Sequence, residues 1–368
     1  MSETSFMNIW IEFQGNKFTI SDFIQRFKNK VQEPLPAVIE FIENWQSNSL
    51  YISQQTSGST GTPKAVKISK SQIEASAIAT LNTLGIKSGD LALLCINPEY
   101  IGGKMMIARA IIGGLNISIG PINGNPLHDF EAYDKIDFFS FVPYQFERIL
   151  DESPDKIQLL DSSKAIILGG APVSENLAEK IKLRLKNAKV YSTYGMTETV
   201  SHVALKLINS DKIEAFKALD KIKFSVDERN CLVIFAPEIS GQDKLITNDV
   251  VDLISPTEFH WLGRYDFVIN SGGIKIHPEI IEHMVAELLA DFNIDNRFFA
   301  FGLPDEKLGE SLNLIIEGKC DKEKVLNLLK ENLKAYHAPK RIYTVAKFIE
   351  TASGKINRMK TIENKETV

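Results

Sequence analysis

The sequence predicts an α/β protein in which a large domain is followed by a smaller one, and three observations lead to this prediction. Between about residues 70 and 200, short apolar segments alternate with amphipathic segments of helical period. Such alternation is typical of mostly parallel sheets covered by helices. Beyond residue 220, short strand-like segments separated by turn signals predict a small antiparallel region. After Gly263, a unit of about 100 residues with mixed helices and strands predicts a small α+β domain.

The elements of the large domain follow from local signals. Ser71 and Glu74 have the spacing of a capping box, and Gly85 can end the helix that they begin. Pro143 suits the first turn of a helix, and Ser174 can cap the next one. In chain order, strands are predicted at residues 10–13, 91–96, 115–119, 138–142, 165–168 and 189–192, with a further helix at 100–112.

Beyond residue 220 the predicted elements are short and their connections tight. The strands of the antiparallel region are predicted at residues 231–236, 245–247, 250–254 and 260–262. They are followed by a glycine-rich hairpin, a helix from Pro278, strands at 297–303 and 311–317, a helix containing 325–333 and a strand near 342–348. The change of pattern places the boundary near Arg264–Asp266, which gives domains of residues 1–263 and 264–368.

The composition restricts the class of protein. Acidic residues number 47 and basic residues 42, so the formal net charge is −5. A general binder of nucleic acid or of membrane surfaces needs a basic field, so neither is expected. The most apolar stretch, 100–122, is interrupted by Lys104 and Arg109, and no membrane span is expected. Glu3 precedes any apolar block and the three cysteines are widely spaced, so a cytoplasmic protein with reduced thiols and no signal peptide is expected.

The strongest candidate for a ligand site is the segment Thr56-Ser-Gly-Ser-Thr-Gly-Thr-Pro-Lys64. Successive small residues allow backbone N–H groups to point into one concavity, and the hydroxyl groups add donors. Such a nest suits a polyphosphate, and Lys64 adds a positive charge beside it. The segment lacks the G-x-x-x-x-G-K-[ST] pattern, which disfavours a P-loop NTPase. Taken alone, a run of this composition is more often a flexible surface turn.

Two further segments follow predicted strands, at the edge where open α/β sheets bind ligands. Leu168-Gly-Gly-Ala-Pro172 would let a ligand approach the backbone closely, or would form a plain tight turn. In Tyr191-Ser-Thr-Tyr-Gly-Met-Thr-Glu-Thr199, Thr197 and Glu198 supply the oxygen ligands that Mg²⁺ prefers. A Thr-Glu pair at this position is often just the start of a helix.

Three charged groups lie later in the chain. In Thr247-Asn-Asp249, Asp249 can accept hydrogen bonds from both hydroxyls of a ribose, and Arg264 can brace it. Each would otherwise be a turn residue or part of a surface ion pair. In Thr351-Ala-Ser-Gly-Lys355, Lys355 carries an ammonium group on a predicted loop, where most lysines are simply solvated.

In this order the five segments resemble the adenylate-forming superfamily, which contains acyl-CoA ligases, luciferases and nonribosomal-peptide adenylation domains. The resemblance covers about residues 50–360 and includes TSGSTGTPK, YGMTE, a TGD motif with Asn248 in place of glycine, GRYDFVINSGG and the terminal SGK. Because asparagine tolerates the left-handed region, Asn248 is expected to replace the glycine in a turn. The sequence before the first motif is short for the superfamily, which predicts a reduced N-terminal subdomain.

The resemblance implies ATP, Mg²⁺ and coenzyme A as ligands. It also implies that Asp266 is the hinge of a mobile C-terminal domain, and that Lys355 contacts the carboxylate and the α-phosphate during adenylation. The implied site residues are Lys355, Glu198, Thr197 and Lys64 for catalysis; Thr56, Ser57, Gly58, Ser59, Thr60 and Gly61 for the phosphates; Glu198 and Thr60 for the metal; Gly169, Gly170, Ala171, Tyr194, Gly195, Asp249 and Arg264 for adenine and ribose; and His202, Gly272 and Gly273 for the acyl and pantetheine pocket.

The compact length, LGGAP and YGMTETVSHVALK resemble the 2-succinylbenzoate–CoA ligases of menaquinone biosynthesis. Such an enzyme adenylates the acid with release of pyrophosphate and then transfers the acyl group to coenzyme A. The alternatives are another aryl- or fatty-acyl-CoA ligase, a stand-alone adenylation enzyme, or a catalytically silent nucleotide-binding protein on the same fold. The presence of every charged motif residue disfavours the silent protein. A homo-oligomer is compatible with the sequence.

Overall fold

Three β-sheets organise the part of the chain that the structure describes, and the largest has thirteen strands. The computed structural model describes residues 9–55, 65–130, 135–292, 294, 296–350 and 356–365. Within these residues, a second sheet has five strands and two strands form a separate hairpin. No helix in these ranges is long and apolar enough to cross a membrane.

Helices and strands alternate through the first half of the chain. The strands are β1 (Trp10–Phe13), β2 (Asn16–Thr19), β3 (Tyr51–Gln55), β4 (Ala65–Ser69), β5 (Leu91–Leu94), β6 (Asn116–Ile119), β7 (Phe138–Phe141), β8 (Ala165–Leu168), β9 (Lys189–Gly195), β10 (His202–Leu207), β11 (Phe216–Ala218), β12 (Lys223–Val226), β13 (Cys231–Phe235), β14 (Leu245–Ser255), β15 (Glu258–Arg264), β16 (Ile269–Ser271), β17 (Ile274–Ile276), β18 (Phe298–Asp305), β19 (Gly309–Glu317) and β20 (Arg341–Val345). The helices are α1 (Ile20–Phe27), α2 (Leu35–Gln46), α3 (Lys70–Leu84), α4 (Ile101–Gly113), α5 (Pro143–Glu152), α6 (Ile157–Asp161), α7 (Glu175–Arg184), α8 (Pro237–Ser240), α9 (Pro278–Asp291), α10 (Lys322–Asn332) and α11 (Arg358–Glu363).

The large sheet changes from parallel to antiparallel along its width. Its order is β12-β13-β14-β15-β11-β10-β9-β8-β7-β5-β6-β1-β2. Neighbours from β1 to β9 on this path pair in parallel, whereas β9 pairs with β10 antiparallel, as do all strands beyond it. The predicted α/β class is confirmed. The antiparallel region, predicted as a small addition, is continuous with the parallel strands.

Helices cover both faces of the parallel strands, as an apolar, two-sided sheet requires. Along β5, Ala92 and Leu94 pack into one buried cluster, which includes side chains of α2, α3 and α4. Leu93, between them, packs into the opposite cluster with side chains of α5, α6 and α7. The alternation of side chains along a strand therefore explains why both faces of these fully apolar segments are buried.

Local signals placed most element ends correctly. Gly85 ends α3 in the left-handed conformation with a φ of 67°, Pro143 begins α5, and the Ser174 hydroxyl accepts the Leu177 N–H at the start of α7. The predicted capping box was wrong by two residues. The helix begins after Ser69, whose hydroxyl and backbone N–H exchange hydrogen bonds with Gln72.

The C-terminal part of the chain forms its own sheet and two smaller buried clusters. Helices α9 and α10 cover one face of this sheet, with Ile281, Val285 and Leu329 among the buried side chains. The other face is covered by an aromatic cluster that includes Phe299 and Phe348. The predicted hairpin, with Gly272 and Gly273 in its turn, is present as β16 and β17.

We refer to these parts as the large lobe (the thirteen-stranded sheet and its helices) and the small lobe (the five-stranded sheet and its helices). Within the described ranges, polar contacts join the two lobes at two places. The Arg264 backbone N–H donates to a Glu279 carboxylate oxygen at 3.4 Å. At the surface, His283 of α9 pairs with Glu175 at the start of α7.

Candidate active site

The candidate site lies at the carboxyl ends of β8 and β9. These strands are parallel neighbours with Leu168 opposite Ser192, so the residues that follow each strand lie side by side. The Thr193 hydroxyl donates to the Leu168 carbonyl at 3.1 Å. A Cβ atom on Gly169 would lie 2.8 Å from the Thr193 hydroxyl oxygen, so only glycine fits there without a shift. The predicted residues Gly169, Gly170 and Ala171 lie at this edge, and the last two are exposed.

Two aromatic side chains donate hydrogen bonds to the Asp249 carboxylate and hold it at the same edge of the sheet. The Tyr194 hydroxyl donates to Oδ2 of Asp249 at 2.7 Å, and the Trp261 indole N–H donates to Oδ1 at 3.2 Å. Burial and the negative charge of Asp249 raise the pKa of Tyr194 well above its usual value. The phenol therefore keeps its proton at any physiological pH and remains a donor. The Asp249 backbone N–H also donates to the Thr247 hydroxyl at 3.0 Å.

Arg264 and Asp266 complete this charged group. Arg264 faces Asp249 across the pairing of β14 with β15, and its guanidinium lies 3.8 Å from Oδ1 of Asp249. The same guanidinium donates to Asp266 at 2.8 Å. The structure therefore brings together the predicted nucleotide residues of three strands and the predicted hinge residue.

Asn248 is not in the left-handed conformation that the sequence led us to expect. It lies in β14, a single strand where two were predicted, and it is absent from the described non-glycine residues with positive φ. Its side chain, which a glycine would lack, accepts a hydrogen bond from Arg229 and donates one to Asp266. Around Asn248, β14 pairs with β13 at Ile246 and Val250, on either side of a register shift, and with β15 from Asp249 onward, so Asn248 lies within the strand.

A strained turn follows β9 and carries the predicted metal ligand. Thr197–Thr199 form one turn of 3-10 helix, and Glu198 is exposed on it. The chain then reverses at Val200, with φ 61° and ψ −54°, and the Ser201 N–H donates to the Thr199 carbonyl at 2.5 Å. This is a γ-turn, which is rare for any residue and more so for a β-branched one. Such strain is often held at functional sites.

A chain of buried polar side chains starts behind this turn. The guanidinium of Arg109 in α4 donates to the Ser201 hydroxyl at 3.0 Å, and that hydroxyl lies 3.3 Å from Nδ1 of His202. Nε2 of His202 lies 3.1 Å from the Thr80 hydroxyl, which donates to the Ser76 carbonyl at 2.9 Å. Each group can therefore donate to the next in one direction. Burial and the charge of Arg109 lower the pKa of His202 well below its usual value, so the ring is neutral.

Arg109 is a buried arginine with few polar partners among the described residues. It is 1% exposed, no carboxylate of the described residues forms an ion pair with it, and its Nε has no hydrogen-bond partner among them. Burial lowers its pKa to about 9. A buried charge without a counter-charge is costly, and each buried polar group without a partner requires an explanation.

Sequence reasoning missed Arg109 and Trp261. Arg109 was noticed only as an interruption of the apolar stretch 100–122, although a single arginine among fully buried helical residues was itself a signal. Trp261 gave no signal, because its contact with Asp249 depends on the register of β14 against β15.

For the remaining predicted residues, the described part of the chain shows no contact with this group. The segment Thr56–Lys64 and Lys355 lie outside the described residues. Gly272 and Gly273 lie in the exposed hairpin turn of the small lobe, with φ of 60° and 83°, and the Gly272 N–H donates to the Leu308 carbonyl. Their roles stay predictions.

Comparison with known proteins agrees with the fold. Residues 16–224, more than half of the chain, match the family model described as "AMP-binding enzyme". The chain therefore belongs to the AMP-binding enzyme family, and it is an adenylate-forming ligase.

Three proteins that the chain resembles are named as ligases or synthetases. It is 28% identical over 350 residues to a 2-succinylbenzoate–CoA ligase of Listeria monocytogenes, covering 88% of this chain and 72% of that one. An acyl-CoA synthetase (AMP-forming)/AMP-acid ligase II-like protein of Dyadobacter fermentans is 35% identical, with a TM-score of 0.63 and coverage of 93% and 97%. The O-succinylbenzoate coenzyme A synthetase (MenE) of Bacillus subtilis, in complex with ATP and magnesium ion, has a TM-score of 0.72 at 21% identity and coverage of 84% and 69%. The last likeness concerns the fold.

Proposed function

We propose that the protein is an ATP-dependent carboxylate–CoA ligase whose acid is 2-succinylbenzoate, and that it requires Mg²⁺. In the first step the acid displaces pyrophosphate from ATP and becomes an acyl-adenylate. In the second step the thiol of coenzyme A displaces AMP and forms the thioester. The named function of the Listeria relative and the family match support this chemistry.

The observation that carries the choice of acid is the buried guanidinium of Arg109. 2-Succinylbenzoate has two carboxylates, one of which reacts while the ring carboxylate keeps its charge. An anionic ring substituent would supply the counter-charge that Arg109 lacks among the described residues. Bidentate pairing of guanidinium with carboxylate is the arrangement that arginine favours. A fatty acid has no second carboxylate and would leave the cation unpaired.

The group around Asp249 suits the ribose of ATP. A carboxylate offers about four lone-pair directions, and the Tyr194 and Trp261 donors occupy one each. The remaining directions fit the two hydroxyls of a ribose, and the positive charge of Arg264 lies beside them. The base would lie against Gly169, Gly170 and Ala171, where the absence of large side chains leaves the backbone accessible, with Gly195 opposite.

The remaining site roles are proposed from the motifs. Thr56, Ser57, Gly58, Ser59, Thr60, Gly61 and Lys64 would hold the phosphates. Glu198, with Thr60, would bind Mg²⁺, which neutralises the leaving pyrophosphate. Thr197 would orient the phosphates beside Glu198. Lys355 would meet the negative charge that grows at the α-phosphate; removing one such contact typically costs about 10²- to 10³-fold in rate.

We also propose that residues 1–263 and 264–368 act as two domains that turn about Asp266 between the two steps. The turn would withdraw Lys355 and bring Gly272 and Gly273 toward the acyl group, where small residues leave room for pantetheine. His202 would lie in the wall of the acyl pocket as a neutral ring, because burial and the charge of Arg109 lower its pKa. The cytoplasmic location and homo-oligomeric state stay predictions.

The experiment compares two acids that differ by one carboxylate. Wild-type protein is given ATP, Mg²⁺ and either 2-succinylbenzoate or 4-oxo-4-phenylbutanoate, which lacks the ring carboxylate. We expect pyrophosphate release with 2-succinylbenzoate and a thioester only after coenzyme A is added. No pyrophosphate release with any acid of an aromatic and fatty panel would falsify the ligase assignment.

The variant Arg109→Met tests the acid. It should lower kcat/KM for 2-succinylbenzoate about 100-fold, because the ring carboxylate loses a buried partner. The kcat/KM for 4-oxo-4-phenylbutanoate should change little. Arg148→Met, which removes a surface arginine paired with Glu152, is the control and should change neither. An equal loss on both acids, or a wild-type preference for a fatty acid, would contradict the choice of 2-succinylbenzoate.

A further inference from the structure

Asn248 links the nucleotide-binding strand to the hinge residue. Its Nδ2 lies 3.2 and 3.4 Å from the two carboxylate oxygens of Asp266, and its Oδ1 accepts from Nη1 of Arg229 at 3.0 Å. An arginine can only donate and an ionised carboxylate can only accept, so one orientation of the amide satisfies both neighbours. The amide therefore bridges two groups of opposite charge.

Besides Asn248, three other groups contact the Arg229 side chain and fix its position. It donates to the Asp227 carboxylate at 2.9 Å and to the Thr247 carbonyl at 3.2 Å. Its guanidinium also lies 5.0 Å from the centre of the Tyr265 ring, within the range of a cation–π contact. The large lobe thus holds both Tyr265 and Asp266, the first two residues of the turn that leads to the small lobe.

That turn is the connection between the lobes. β15 ends at Arg264, Tyr265–Phe267 form a single turn of 3-10 helix, and Ile269 already belongs to the small sheet. The Val268 N–H donates to the Tyr265 carbonyl at 3.2 Å and closes the turn. A rotation at Asp266 must open this hydrogen bond or swing the Asp266 carboxylate away from Asn248.

We propose that Asn248 is a positioning residue that clasps the hinge turn in the orientation seen here, and so sets how readily the lobes rotate. The consequence for turnover rests on the function proposed above, whereas the contact itself does not. A TGD motif has glycine at this position and cannot make the contact. The clasp is therefore a property of this chain, and it couples the hinge to Asp249, the next residue along the strand.

Hydrogen exchange of the Val268 amide in the full chain without nucleotide tests the clasp. Asn248→Ala should speed this exchange about fivefold, since one hydrogen bond to a charged group is lost. Asn248→Asp should speed it further, because its carboxylate would repel Asp266. Asp252→Ala, which truncates an exposed side chain of the same strand, should leave the exchange unchanged. Unchanged exchange in both Asn248 variants, or equal acceleration in the control, would overturn the proposal.

A single-turnover experiment separates positioning from a general structural role. In Asn248→Ala, the rate of pyrophosphate release should stay within about twofold of wild type, while the interval between that release and thioester formation changes at least twofold. Equal losses in both steps would indicate a structural defect and contradict the proposal, as would an unchanged interval. If wild type releases no pyrophosphate with any acid, the proposed function fails, but the exchange result still decides whether the clasp exists.

Discussion

The hydroxyl of Tyr194 and the carboxylate of Asp249 are joined by a 2.7 Å hydrogen bond that spans 55 residues of sequence. Tyr194 lies near the end of the last parallel strand, and Asp249 lies in the antiparallel part of the same sheet. The bond therefore fixes one half of the proposed nucleotide site against the other. Because Tyr194 lies among the rings of Phe216 and Phe259, the phenol has little freedom to turn away.

Tyr194→Phe removes this bond and keeps the ring. We expect KM for ATP to rise about tenfold, because the Asp249 carboxylate loses a donor that orients it, while kcat changes little. Steady-state kinetics at saturating acid measures both constants. Tyr191→Phe, on the same strand, is the control and should leave KM unchanged. A tenfold fall in kcat with unchanged KM would show that the bond acts on chemistry and contradict a binding role.

The buried chain that starts at Arg109 determines the tautomer of His202. Ser201 accepts from Arg109 and so directs its own proton to Nδ1, which leaves Nε2 to donate to Thr80. Nitrogen NMR should find His202 protonated at Nε2 and neutral at physiological pH, since burial and the Arg109 charge lower its pKa well below the usual value. Titration of this ring near pH 6 would contradict the chain.

Structural features were predicted correctly from the sequence when they depend on residues close together in the chain. Gly85, Pro143 and Ser174 act within one turn of helix, and their roles were predicted correctly. Ser71 was predicted as the cap of α3, whereas the cap is Ser69, two residues earlier, because the Gln72 side chain reaches back to the Ser69 backbone N–H. Local patterns gave no means to decide this.

The contacts that assemble the site are long-range, and these were mostly missed. Arg109 meets Ser201 across 92 residues, and the fusion of the parallel and antiparallel strands depends on the pairing of β9 with β10. The five motifs nevertheless marked Tyr194, Asp249 and Arg264, which the structure brings together. Motif order thus predicted what periodicity alone did not.

Stability should depend on pH through Glu282, a carboxyl of α9 whose side chain is 20% exposed. It accepts hydrogen bonds from Arg358 at 2.8 Å and from the Ala300 N–H at 2.8 Å, yet burial raises its pKa to about 7. The folded protein therefore binds a proton more readily than the unfolded chain between about pH 4.5 and 7. The stability that this proton contributes is complete at low pH and is lost as the pH rises through 7.

Glu282→Gln cannot titrate and should lack this dependence. We expect the free energy of unfolding of wild type, relative to Glu282→Gln, to fall by about 2 kcal/mol between pH 4.5 and 7.5. Denaturant unfolding at several pH values gives the difference. Glu331→Gln, an exposed residue of α10, is the control and should follow wild type. A difference that grows with pH would show that the Arg358 pair outweighs burial.

Gly195→Ala tests whether the backbone of the strained turn after β9 can shift to accept a side chain at position 195. A Cβ atom on Gly195 would lie 2.2 Å from the Ser201 carbonyl oxygen and 2.5 Å from the His202 Cα, and both are backbone atoms that cannot rotate away. The clash must push β10 from β9 or open the γ-turn at Val200, so we expect a loss of about 3 kcal/mol in the free energy of unfolding. Gly273→Ala is the matched control: its φ is 83° but nothing lies within 4 Å, so it should cost only the backbone strain of about 1 kcal/mol. If the two variants lose equal stability, the close approach of β9 and β10 is not what requires glycine at 195.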